Sequence, residues 1–272
     1  LLRDYGAEDY GDGNVTESVN ARLPDGTLAS QTLTVEPFVE VTGANSFGTF
    51  NGTSDYLTTP YNAAFDFERT DTFSFACWIY PDAFGSSRTI ICHNSGAGQT
   101  TGWRLAIGSA TFDKLYVWFV GSSYTTDKSI LRYSTNSIVV STWNHVAFTY
   151  DGSNDVDTNG SPKIYIDGVE ESSYTDYANY KTIDDSMQTS TSLLIGATVG
   201  DTRHVDGTID DVGVWSRELT ALEIADLADN KTRCHKIQRS DLVAYYDFDY
   251  VSGSLTNGIE DRTTNGLDMV KG

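Results

Sequence analysis

From residue 46 onward, apolar and polar positions alternate in short runs broken by turn signals. In TFSFACWIYP (72–81), Phe73, Phe75, Cys77 and Ile79 fall on one face and Ser74, Ala76, Trp78 and Tyr80 on the other. That is the period of a half-buried strand. RTIICH (88–93), GWRLAIG (102–108), KLYVWFVG (114–121), SIVVSTWNHVAFTYDG (137–152), PKIYIDGVE (162–170), SLLIGATV (192–199) and GTIDDVGVWS (207–216) continue the series. Val146, Phe148 and Tyr150 share a face. IYIDGVE reads as a hairpin about Asp167-Gly168, with Ile164 and Ile166 turned inward and Tyr165 outward. SFGTFNGTSDYLTT (46–59) reads as two short strands about an Asn51-Gly52 turn, since both residues tolerate positive φ. Many short strands with no long helix between them predict an antiparallel all-β domain and exclude a doubly wound sheet.

Three stretches depart from this rhythm. Residues 1–40 are rich in Gly, Asp and Asn; one strand near Thr32–Val35 is expected in an otherwise irregular arm. Residues 171–191 are rich in Tyr, Asp and Thr and show no period, which reads as a long loop of the kind that carries binding. After Ser216 the pattern turns helical: Thr220 and Glu223 make a capping box, Ile224, Leu227 and Ala228 line one face, and the run stops near Asn230. A helix this short is marginal alone and must pack on a sheet.

Composition narrows the function classes. Eighteen basic against 38 acidic residues leave a net charge of −20. A duplex-binding surface needs a basic footprint, so nucleic acid is excluded as a partner and anionic membranes are disfavoured. No apolar run is long enough to insert in a membrane. Carboxylates near Gly and Asn turns can instead collect calcium. The three cysteines, Cys77, Cys92 and Cys234, form no CxxC, and an odd number precludes complete internal pairing; a Cys77–Cys92 bridge requires their strands to be neighbours. The chain opens on Leu, which points to a processed or trimmed piece, so the lack of a visible leader says little about export.

GTIDDVGVWSRELTALEIADL (207–227) resembles the closing signature of concanavalin A-like, laminin G-like jelly-roll modules. FNGTSDYL (50–57), TFSFACWIYP, WNHVAFTYDG, KIYIDGV and LLIG resemble earlier strands of the same family, in order from about 46 to 228. The resemblance implies a two-sheet antiparallel jelly-roll sandwich with one short helix near its C-terminal end. It divides the chain into an arm (1–40), a jelly-roll domain (41–232) and a C-terminal strand segment (233–272). In the last of these, LVAYYDFDY (242–250) and GIEDRTTNG (258–266) resemble the opening strand and turn of such a module, standing at the wrong end. Either they begin a truncated second module, or they return to complete this sheet, or they pack outside it while residues 1–40 fill the place. An apolar strand left exposed is an edge liability, which favours packing on this domain or on a second copy.

The resemblance also implies a structural calcium joining Asp210 of the final strand to Asp247 or Asp249 and to carbonyls about Asn265-Gly266. The alternative for Asp210 and Asp211 is a pair of strand-rim carboxylates that accept backbone N–H groups. Independently of any family, Asp155, Asp157 and Asn159 alternate ahead of Gly160, the first half of a calcium loop. Position 12 is Ile166 and no helices flank it, so it is not an EF-hand; it is either a weak calcium loop or a solvated turn.

Some relatives of the fold are glycosidases, but the Glu-x-Asp-x-x-Glu strand pattern that would supply their paired carboxylates is missing, and the four histidines are scattered. The expectation is therefore a non-catalytic recognition module for carbohydrate, stabilised by calcium and located outside the cell, on its surface or on a virion. Sugar binding needs exposed aromatics with polar groups beside them. The candidates in predicted loops are Tyr124, Tyr174, Tyr177 and Tyr180, with Asp176, Asn179 and Arg203. The rival expectation is a structural domain that binds a surface protein or associates with copies of itself through sheet edges.

Overall fold

The computed structural model describes residues 16–22, 28–34, 47–84, 86–96, 100–108, 113–122, 128–156, 160–200, 203–229, 233–237, 239–249 and 258–272. The chain divides into two units, Leu1–Ala44 and Asn45–Gly272. In the first, β1 (Thr16–Arg22) and β2 (Leu28–Thr34) form an antiparallel hairpin, with Thr16 opposite Thr34 and Arg22 opposite Leu28. The expected single strand is thus one of two. The run TESVNAR carries only Val19 and Ala21 as apolar residues, too few to show a period.

The second unit contains β3 (Gly48–Asn51), β4 (Leu57–Thr58), β5 (Phe73–Pro81), β6 (Arg88–Asn94), β7 (Gly102–Ile107), β8 (Lys114–Val120), β9 (Lys128–Ser137), β10 (Asn144–Tyr150), β11 (Lys163–Ile166) and β12 (Val169–Glu170). It continues with β13 (Tyr174–Ile183), β14 (Leu194–Ile195), β15 (Asp206–Trp215), helix α1 (Ala221–Ala228), β16 (Leu242–Tyr246) and β17 (Val270–Lys271). Among the described residues these strands form two sheets. The front sheet runs β12-β11-β10-β5-β15-β16, with β3 also on β15; the back sheet runs β13-β9-β8-β7-β6-β14-β4-β17. All described pairings are antiparallel. Among the described residues no helix is long and apolar enough to cross a membrane.

Alternation decides what fills the space between the sheets. Phe73, Phe75, Cys77 and Ile79 of β5, Val146, Phe148 and Tyr150 of β10, and Trp103, Leu105 and Ile107 of β7 all enter one core. Phe73 lies at its centre. Its ring stacks on Phe67 at 4.4 Å and meets Trp103, Phe119, Phe148 and Tyr150 at 5.4–5.6 Å. The opposite face of the front sheet is covered as well. Ala76, Ala147, Tyr165 and Trp215 pack there under Leu219, Ile224 and Leu227 of the α1 region and under Cys234 and Ile237. Thr220 and Glu223 close the capping box that starts α1.

Strand β15 carries two neighbours on one edge. β3 pairs with Asp206–Ile209, and β16 pairs with Val212–Trp215. The changeover coincides with a bulge, in which Asp211 and Val212 together stand opposite Cys77 of β5. Beyond β16, Phe248 is fully buried in the core, and its ring occupies the space that a Cβ on Gly48 would need.

Two of the expectations are corrected, and the condition for a Cys77–Cys92 bridge is not met. The strands about Asn51-Gly52 are not a hairpin: β3 lies in the front sheet and β4 in the back sheet. Asn51 Oδ1 accepts the amides of Thr53, Ser54 and Asp55 at 2.9–3.1 Å and so turns the chain from one sheet to the other. The supposed loop 171–191 contains β13, paired with β9; a register shift between Asp176 and Lys181 breaks the alternation that would have announced it. Cys77 and Cys92 stand in different sheets, and no disulfide joins either of them to Cys234.

Phe248→Ala is expected to cost about 3–5 kcal/mol, because it empties a fully buried aromatic site. Urea unfolding checks it; an unchanged midpoint would show that the segment after β16 does not hold the core.

Candidate functional site

The β15 rim brings four expected acidic residues near two arginines. The bulge holds Asp211 at φ 50° and leaves it 5% exposed. Its Oδ1 accepts from the Tyr245 hydroxyl at 2.7 Å and lies 3.8 Å from Arg233 Nη1, while the Cys234 thiol donates to its carbonyl at 3.2 Å. Asp210 accepts the Asp211 amide at 2.8 Å. Asp249 pairs with Arg233 at 3.3 Å and Asp247 with Arg262 at 2.8 Å. Asn265 donates its side-chain amide to the Val243 carbonyl at 2.8 Å, and Gly266 takes φ 65° in the turn that follows. That turn is organised by Asp261, which accepts from the amides of Tyr245, Thr263 and Leu267.

Calcium wants six to eight oxygens. Among the described residues no three or more His, Cys, Asp or Glu side chains gather to hold a metal, and arginine supplies the positive charge at this rim. Asp210 keeps a mark of the crowding: burial, and then the charge of Asp211, push its carboxyl up to about 7, against the pull of Arg233.

The other expected residues are dispersed. Asp155 forms an isolated bridge with Thr182, and Gly160 turns at φ 70°; Asp157 and Asn159 lie outside the described residues. Tyr124 also lies outside them, as do the side chains of Tyr177 and Asn179 in β13. Tyr174 and Asp176 hold Arg132. The guanidinium sits 4.2 Å from the Tyr174 ring centre, and the carboxylate takes Nε and Nη2 at 2.7 and 3.0 Å. Tyr180 packs with Tyr133 against Ala106, Tyr116, Trp118, Val120 and Leu131 on the outer face of the back sheet. Arg203 takes the Thr89 amide on its carbonyl at 3.0 Å and stands near Arg104.

With the front sheet covered by α1, the back sheet's outer face offers a recess. A groove of about 660 Å³ is lined by Tyr56, Tyr61, His204 and Leu194 and by the hydroxyls of Thr53, Ser54, Thr58, Ser190, Thr191, Ser192 and Thr198. Among the described residues no carboxylate lines it. Tyr61 is 47% exposed, and its hydroxyl is fixed on Asp66 Oδ2 at 2.6 Å, so the ring is a held platform. The Tyr56 ring leans on His204 with centres 6.1 Å apart, and His204 Nδ1 meets the Asp55 carbonyl at 3.3 Å. Thr191 anchors the far wall by donating to the Asn94 carbonyl at 3.1 Å. None of Tyr56, Tyr61 and His204 was among the residues expected from sequence. The signal for Tyr61 was its place after Pro60, between strand runs, where an aromatic has no core to enter.

A family model described as the concanavalin A-like lectin/glucanases superfamily matches residues 51–225. Among solved structures, a candidate carbohydrate-binding protein of Bacteroides ovatus is 19% identical, with a TM-score of 0.53, over 90% of this chain and 65% of that one. A heptameric pentraxin of Limulus polyphemus is 17% identical (TM-score 0.44; 67% and 80% covered). Domain 4 of an extracellular GH43 arabinanase of Geobacillus stearothermophilus, solved with arabinotriose, is 19% identical (TM-score 0.46; 80% and 84% covered). The first of these likenesses shows a shared fold; the chain spans 65% of that protein's length. No curated protein matches the chain.

Asp210 sets a pH dependence. Its carboxyl holds a proton to about 7 in the folded chain and to about 3.8 when unperturbed, so folding is favoured by the proton and weakened by ionisation. This contribution to stability is lost as pH rises through about 7. In chelator, Asp210→Asn is expected to melt above wild type beyond pH 7, with the gap shrinking towards pH 4. Thermal melts across that range check it; a gap independent of pH would show that the rim carries no such penalty.

Proposed function

The chain belongs to the concanavalin A-like lectin/glucanase superfamily, and from that premise we propose that it is a non-catalytic carbohydrate-binding module. The observation that carries this reading is the groove on the back sheet. Sugars present apolar ring faces and a rim of hydroxyls, and a site for them needs aromatic platforms beside hydrogen-bonding groups. Tyr56 and Tyr61 supply the first, and the Ser and Thr hydroxyls with His204 supply the second. Glycoside hydrolysis needs two carboxylates across a cleft, and the described residues of the groove lining include none. The same reading places the chain where glycans are met, outside a cell, on its surface or on a virion. Calcium enters it only as a competitor of Arg233 for Asp210: a melt raised by millimolar calcium in wild type, and not in Asp210→Asn, would establish that role.

A second reading has its own observation. At one end of the front sheet Trp143 meets Phe47 at 6.0 Å and Tyr80 at 5.7 Å, and Trp143, Val139 and Val140 are 38%, 56% and 42% exposed. An exposed apolar cluster of this kind suits a protein partner or a second copy.

Tyr61→Ala is expected to weaken binding of the best ligand on a glycan array about tenfold while leaving the melting temperature unchanged, because the ring is a platform and not core. Equal binding by variant and wild type, or sugar released from a polysaccharide panel, would sink the first reading. Sedimentation tests the second: self-association that Trp143→Ala abolishes would support it, and a monomer at all concentrations would remove the second copy as occupant.

A further inference from the structure

His204 forms part of the groove wall, between the Tyr56 ring and the Asp55 carbonyl. Its tautomer decides what that wall can receive. Nδ1 lies 3.3 Å from the carbonyl oxygen of Asp55. A carbonyl has no hydrogen to give, so Nδ1 carries the ring proton and donates it. The neutral imidazole is then left with a bare lone pair at Nε2. The residue is 7% exposed, and Nε2 is not closed off from solvent. Such an atom accepts the hydrogen of a hydroxyl. It has nothing to offer a carboxylate or a sulfate, whose oxygens only accept.

Charged groups that border the groove are spent on the protein itself. Arg88 gives Nη1 to the carbonyls of Gly52 and His204, at 3.1 and 2.7 Å. Lys271 pairs with Asp55 Oδ1 at 2.8 Å. Asp66 holds the Tyr61 hydroxyl through Oδ2 and lies 3.6 Å from His93 through Oδ1. Among the described residues that line the groove there is no Lys, Arg, Asp or Glu.

What lines it instead is amphoteric. Ser and Thr hydroxyls both donate and accept, as the hydroxyls of a sugar do. A charged substituent entering here would shed its water with no cation to replace it. It would do so in the field of a chain that carries a net charge of −20. A sugar with hydroxyls alone meets neither cost.

We propose that the groove binds an uncharged glycan, with one sugar hydroxyl donating to His204 Nε2 and a ring face resting on Tyr61. The proposal rests on the glycan-binding reading and names the class of glycan. His204 is then the residue that selects a hydroxyl over an anion, and Arg88 and the Asp55 carbonyl are what hold it in that state.

The test is an array of neutral, carboxylated and sulfated glycans on the full chain, followed by calorimetry on wild type. The best neutral oligosaccharide is compared with a form whose primary hydroxyls are oxidised to carboxylates, at low and at high salt. Wild type is expected to prefer the neutral form about tenfold or more. Its affinity for that form is expected to stay within about twofold as salt is raised, since no ion pair is there to screen. His204→Phe keeps a ring beside Tyr56 and removes the acceptor; it is expected to weaken neutral-glycan binding about tenfold, and His204→Gln, which can present an oxygen, less. A preference for carboxylated or sulfated glycans, equal affinity for the two forms, neutral binding that falls steeply with salt, or a His204→Phe variant that binds like wild type would overturn the proposal. The comparison of native and oxidised ligand needs only wild-type protein, so it stands even if the variants fold poorly. Binding of charged glycans alone would defeat this proposal and leave the module reading intact; binding of no glycan would defeat both.

Discussion

The aromatic contact about Phe73 is the constraint on which the rest of the second unit depends. Phe148 and Tyr150 reach it from the front sheet and Trp103 and Phe119 from the back sheet, so one cluster joins the two layers. Rings at these separations attract one another beyond the area they bury. Once that face of each strand is committed to the core, the opposite face is committed too, because successive side chains alternate. Trp215 and Tyr165 must then be covered, and α1 covers them. The outer face of the back sheet is left to meet what lies outside.

The polar residues follow the same logic. A bulge in β15 falls where its edge passes from β3 to β16, and its extra residue, Asp211, is buried and answered by Tyr245, Cys234 and Arg233. Arg132 is likewise answered, by Asp176 and two carbonyls. Leaving such a group unanswered costs more than the bond itself returns.

Strands with uninterrupted alternation were legible from sequence. TFSFACWIYP, GWRLAIG and WNHVAFTYDG carry a residue type at each position that agrees with the face it occupies. Where a local interaction overrode the period, the pattern misled. The Asn51 side chain turned an apparent hairpin into a crossing between sheets, and a register shift hid β13 inside an apparent loop. The site was less legible than the fold. Exposure of a tyrosine depends on what packs over it, so Tyr174 could not be separated from Tyr61 by sequence alone; the first lies under Arg132 and the second faces solvent. The groove joins residues from about 53 to 204, a distance no local pattern spans.

The shared edge of β15 bears on the order of events during synthesis. Two edges are closed by segments made late: β16 on β15, and β17 on β4, which brings Val270 beside Thr58. Until those residues emerge from the ribosome, β15 and β4 each display an unpaired row of backbone donors and acceptors, open to strands of neighbouring nascent chains. Contacts so distant in sequence also form slowly. Productive folding of this unit therefore waits for both segments to be made. A ribosome stalled shortly before residue 242 would hold out a nearly finished sandwich with its seams undone.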